Sequence, residues 1–153
     1  MRKKTLLIAV IGALAAGGMV GGATIALAQA DVVKQRQDNR KATAAEMKAI
    51  KGIIDAKGDA KTAVAHAAKL KELESAFVKM FPAGSDKSDT KALPAVWTDM
   101  AGFQKASANA SAAYDKLAAA AGSGDLAALG AAFGDTGKAC GACHNTFRAK
   151  PKT

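Results

Sequence analysis

A chain of 153 residues with 22 basic and 13 acidic side chains, net charge +9, holds one compact domain and is too short for two once a leader is set aside. The positive excess is spread out rather than gathered into a stripe interleaved with aromatics, which argues against nucleic acid as a partner and leaves solubility, or the steering of an acidic partner, as its use. Beyond the N-terminal segment Ala and Lys crowd the chain, while Val, Ile, Tyr and Trp are sparse and nowhere alternate with period two, so sheet folds are excluded as well.

In chain order, the first residues read as a leader. Arg2, Lys3 and Lys4 precede an uncharged, largely apolar run from Thr5 to Ala28 that closes on Ala28-Gln29-Ala30, the layout of a secretory signal peptide. Cleavage after Ala30 makes Asp31 the first mature residue, and Ala26-Leu27-Ala28 offers an earlier site. The run is also long enough to span a bilayer as an uncleaved anchor. Against that, Gly12, Gly17, Gly18, Gly21 and Gly22 interrupt it, and its small-residue exit suits a peptidase. Either outcome carries the remainder out of the cytoplasm. A periplasmic protein is expected, with residues 1–30 as signal peptide and residues 31–153 as a single domain of about 120 residues and net charge about +6.

Breaks fall at Lys57-Gly58-Asp59, along FPAGSDKSDTKALP, at Gly122-Ser123-Gly124-Asp125 and at Pro151. They cut out four helical segments, approximately 32–57, 60–80, 94–121 and 125–149, with Pro94 suited to a first turn and Asp125 to an N-cap. Short links inside the first and last pairs predict an all-α fold, an antiparallel four-helix bundle. On the first segment, positions 33, 36, 40, 43, 47, 50 and 54 share a face that Met47, Ile50 and Ile54 mark as buried. Leu70, Leu73, Phe77 and Met80 form the core stripe of the second, and Trp97, Met100, Phe103 and Leu117 that of the third.

The last segment carries both cysteines of the chain in Cys140-Gly141-Ala142-Cys143-His144. Cys-x-x-Cys-His is the arrangement that attaches a c-type haem. Two thiols three residues apart on a helix can each add to one vinyl group, and the next residue brings an imidazole under the iron. Three other chemistries compete. A disulfide here would close a very short loop and constrain the unfolded chain little. A thioredoxin-like pair wants a βαβ setting, and a zinc site wants ligands beyond the remaining His66 and carboxylates. Export and the following histidine favour haem attachment.

The tail LGAAFGDTGKACGACHNTFRAK sets that motif at the C-terminal end of a four-helix chain, and in this it resembles the class II cytochromes c, the family of cytochrome c-prime. VVKQRQ at 32–37, the Phe81-Pro82 turn with Gly84-Ser85-Asp86 after it, and ALPAVWTDMAGF at 92–103 agree with the same family, so the resemblance runs over the whole mature chain. It implies haem c, and with it iron, as cofactor, with Cys140 and Cys143 as thioether attachment points and His144 as proximal ligand. It also implies that Arg36, with Gln37 beside it, stands where a first-helix side chain reaches a haem propionate. Arg148, four residues after His144, matches a basic residue close to the haem on the proximal side; a solvated cation favoured by the helix dipole is the competing reading. Homodimers through the first two helices are a further implication.

In that family the first helix controls the sixth position of the iron: a bulky apolar residue leaves it empty and a methionine fills it. The position falls on Arg40, one turn after Arg36, and arginine there departs from the pattern. A guanidinium stays protonated and has no lone pair for iron, although it can snorkel to a propionate or donate a hydrogen bond to a small ligand. Met47 lies roughly 10 Å further along the helix and ligates only in another register. His66, at the edge of the second stripe, is more simply an ordinary paired or exposed histidine. Five-coordinate iron is the preferred expectation, with the sixth position left open. Two functions follow from the resemblance: electron transfer with soluble or membrane redox partners, or binding of a diatomic gas, nitric oxide or carbon monoxide. A weak peroxidase is disfavoured because no distal acid–base pair can be named, so an enzyme is not expected.

Overall fold

The computed structural model describes residues 20–86 and 90–150, with side chains from residue 31 onward. In chain order these form α1 (Val20–Asp55), a 3-10 turn at Ala60–Thr62, α2 (Ala63–Phe77), a 3-10 turn at Val78–Met80, α3 (Ala95–Thr98), α4 (Met100–Ser123) and α5 (Leu126–Phe147). The four long helices make the expected antiparallel bundle. Broad interfaces join α1 to α2, α2 to α4 and α4 to α5, whereas α1 and α5 touch only sparingly. That fourth side of the ring is where the cavity described below lies. Of the expected leader, residues 1–19 lie outside the described residues, and residues 20–30 continue α1 as helix. Among the described residues no helix is long and apolar enough to cross a membrane.

The helix ends follow from local chemistry. After α1 the amide of Lys57 donates to the Ile54 carbonyl at 3.1 Å and that of Gly58 to Ile53 at 2.9 Å, the paired bonds of a Schellman stop. Lys57, at φ 51°, takes the left-handed position that such a stop usually gives to glycine. Asp125 caps α5, its carboxylate accepting from the amides of Ala127 and Ala128 at 2.8 and 3.1 Å. The third expected segment is interrupted. Asp99 leaves helical geometry (φ −131°, ψ 60°), and its side chain accepts from the Gly102 amide at 2.9 Å, so one acidic residue ends α3 and caps α4.

Two apolar clusters flank the cavity. One joins Ile50, Leu70, Tyr114, Leu117 and Leu129 across all four long helices, with Ala63, Ala67, Ala110 and Ala121 between them. The other gathers Phe81, Val96, Phe103 and Phe147, with Phe77, Trp97 and Cys143 packed against it. Its rings meet edge to face: Phe77–Phe81, Phe81–Phe103 and Phe103–Phe147 have centroids 5.0, 4.9 and 5.4 Å apart.

Candidate functional site

The register of α5 is fixed at both ends. Asp125 holds its start, and beyond its last turn the Leu93 amide donates to the Phe147 carbonyl at 3.0 Å and the Ala149 amide to Lys91 at 2.8 Å. Between these anchors Cys140, Cys143 and His144 project from one stretch of helix into a cavity of about 640 Å³ between α5 and α1. That volume lies inside the ~300–1,000 Å³ range of cofactor and ligand sites. Both cysteines are free thiols, half-buried. Burial pushes both thiols above their ordinary pKa, and Tyr114 Oη lies 3.8 Å from Cys140 Sγ. His144 is pushed down, first by burial and then by the Arg148 and Arg40 cations, which favours a neutral imidazole with a lone pair to donate. Arg148 is exposed and also lines the cavity.

Across the cavity, α1 presents Val33, Arg36, Gln37, Arg40 and Met47. Arg36 is buried, at 5% exposure, and its guanidinium is turned to the loop after α2. Its Nε donates to the Met80 carbonyl at 2.7 Å, Nη1 to the Ser85 carbonyl at 3.2 Å and Nη2 to Ser85 Oγ, with the group stacked 4.2 Å from the Phe81 ring centroid. Burial lowers its pKa without bringing it near neutrality. Gln37 is exposed on the same rim.

Arg40 is tied in as firmly. Nη1 donates to Glu74 Oε2 at 2.9 Å, Nε and Nη2 donate to Asn39 Oδ1 at 2.9 and 2.5 Å, and the guanidinium lies 3.6 Å from the Phe77 centroid. Glu74, at 5% exposure, accepts a second bond from Ser107 Oγ at 2.7 Å, and Asn39 Nδ2 donates to the Leu73 carbonyl at 2.9 Å. His66 takes no part: it pairs with Glu46 at 2.6 Å, and neither residue lines the cavity.

Four contributors were not read from the sequence: Asn39, Glu74, Ser107 and Tyr114. Glu74 carried a usable signal, since Ala63, Ala67, Leu70, Glu74 and Phe77 follow the spacing of α2's inward face and put a carboxylate where an apolar residue belongs. Ser107 and Tyr114 fall on the matching face of α4 with Phe103, Ala110 and Leu117, all buried.

The chain matches the family model described as Cytochrome C' over residues 31–148. It is 45% identical over 93 residues to a cytochrome c' of Rubrivivax gelatinosus, a stretch covering 60% of this chain and 72% of that one. A crystal structure of cytochrome c' from Rubrivivax gelatinosus superposes with a TM-score of 0.70 at 37% identity, over 78% of this chain and 96% of that chain. A nitric oxide complex of a cytochrome c prime variant from Alcaligenes xylosoxidans superposes with a TM-score of 0.72 at 33% identity, over 80% and 97% of the two chains. The matched span takes in both walls of the cavity, and the chain belongs to the cytochrome c' family, with covalently attached haem c as its cofactor.

Proposed function

We propose that the protein is a periplasmic c-type cytochrome in which Cys140 and Cys143 take the two thioether bonds, His144 is the proximal iron ligand, and electrons pass to and from soluble or membrane redox partners. One observation carries this reading: the three side chains open together into a cavity of cofactor size, on a helix fixed at both ends. When bound, the haem supplies a reversible one-electron couple. The chain's own residues do the rest. Phe77, Phe103 and Phe147 close one end with apolar rings that keep water away. Burial, and after it the Arg148 cation, favour the neutral, ligating form of His144, while Glu74 opposes the contribution of Arg40. An electron carrier needs no substrate pocket, and no enzymatic turnover is part of this reading. Export is supported by the leader-like pattern of residues 1–30, after which the family match begins at Asp31.

A second reading, binding of a diatomic gas, is favoured by the α1 wall. Arg40 has no lone pair to offer, so that wall supplies no ligand at the position where low-spin relatives carry methionine. A relative has been solved with nitric oxide bound. The visible spectrum of the reduced protein, recorded with and without carbon monoxide, separates the two. A gas-bound spectrum is expected if the sixth position is open. A low-spin spectrum that carbon monoxide leaves unchanged removes the gas-binding reading and keeps electron transfer. Loss of the ordinary spectrum in His144→Ala, with haem still covalently attached, is expected if His144 is the ligand.

A further inference from the structure

The ligand side of the cavity holds a complete ion pair where the family pattern calls for an apolar residue. Glu74 is buried and receives hydrogen bonds from Arg40 on α1 and Ser107 on α4, so a single carboxylate ties three helices together around the cavity. A guanidinium carries five N–H groups. Three are taken by Glu74 and Asn39, which leaves two without a protein acceptor among the described residues, on a side chain that lines the cavity. Asn39 is itself held by the Leu73 carbonyl, and the Phe77 ring backs the guanidinium. Arg40 is therefore a fixed donor rather than a mobile surface cation.

We propose that Arg40 forms a hydrogen-bond-donor subsite for small ligands whose bound form carries negative charge, and that Glu74 is its positioning residue, holding the guanidinium in place while cancelling its charge. The cancelled charge has a consequence for selectivity. Free anions are not concentrated in the cavity by a bare cation, yet an anion that does bind there meets two donors. Removing either member of the pair shifts anion affinity in opposite directions, and a neutral, weakly accepting ligand feels neither change.

This inference rests on the haem reading above, and its test keeps the two apart. Azide affinity of the ferric holoprotein and carbon monoxide affinity of the ferrous holoprotein are measured by optical titration for the parent, Arg40→Leu and Glu74→Gln. Glutamine can still accept from Arg40 through its one side-chain oxygen and donate from its amide nitrogen to Ser107 Oγ, but it carries no charge. Arg40→Leu is expected to weaken azide by about tenfold or more and Glu74→Gln to strengthen it by about tenfold, with carbon monoxide moved less than about threefold by either. Azide shifts of the same sign in both variants, carbon monoxide shifts as large as those of azide, or no azide binding in any of the three would overturn the proposal. Absence of covalent haem from the parent would instead sink the haem reading. A ligand-free readout checks the pair itself: Arg40→Leu, which strands a buried carboxylate, is expected to lower the thermal midpoint more than the double variant with Glu74→Gln. Strictly additive midpoints would show that the pair is not formed.

Discussion

Tyr114 is the only tyrosine in the chain, and its hydroxyl sits inside the bundle against Cys140. Burial, then the neighbouring Cys140 and Glu74, raise its phenol well above the ordinary value near 10. A raised value means that the folded form keeps a proton over the range in which the unfolded chain loses it. Stability from this group is fully present below about pH 10 and is lost as pH rises above it. Tyrosinate absorbance is expected to be missing from the folded protein at about pH 10.5 and present in denaturant at the same pH. A folded-state titration at the ordinary midpoint would show that the ring is wet. The residue scale is also where the sequence spoke most clearly: Cys140, Cys143 and His144 are nearly contiguous, so their chemistry is written in one stretch. Arg40 was visible as a misfit, but its partner Glu74 lies on another helix, and the periodicity of α1 alone says nothing about it.

At the scale of elements, Lys57 occupies a left-handed turn position at φ 51°, where a Cβ is strained and glycine is not. Lys57→Gly is expected to stabilise the protein by about 0.5–1 kcal/mol, seen as a rise of a few degrees in the thermal midpoint. A fall would mean that the lysine side chain contributes more than the turn strains. The same turn shows what was legible. Gly58, Pro94 and Asp125 announced helix boundaries because each has a steric or capping reason to stand there. Asp99 did not, since a lone aspartate inside a helical string reads as a surface residue until its carboxylate is seen to cap Gly102. The division of the third segment into α3 and α4 was lost for that reason. Arg36 teaches a related lesson: helical spacing placed it on the inward face, where it is buried, but only the path of the loop after α2 shows that its guanidinium clasps Met80 and Ser85.

For the whole molecule, the decisive feature is the unequal closure of the bundle. Three helix pairs are well packed, and the α1–α5 side is held apart over a cavity whose two walls carry the attachment motif and the Arg40–Glu74 pair. Length, helical periodicity and short links were enough to read a four-helix bundle, because each constrains topology. They do not say which side stays open; that depends on side-chain volumes meeting across helices far apart in sequence. The most direct test of the haem reading is the intact mass, under denaturing conditions, of the protein matured in a periplasm with a c-type assembly system, alongside the Cys140→Ala/Cys143→Ala variant. One haem added covalently to the parent chain and none to the variant is the expected result. A parent chain at its bare polypeptide mass, or haem still attached in the variant, would contradict it.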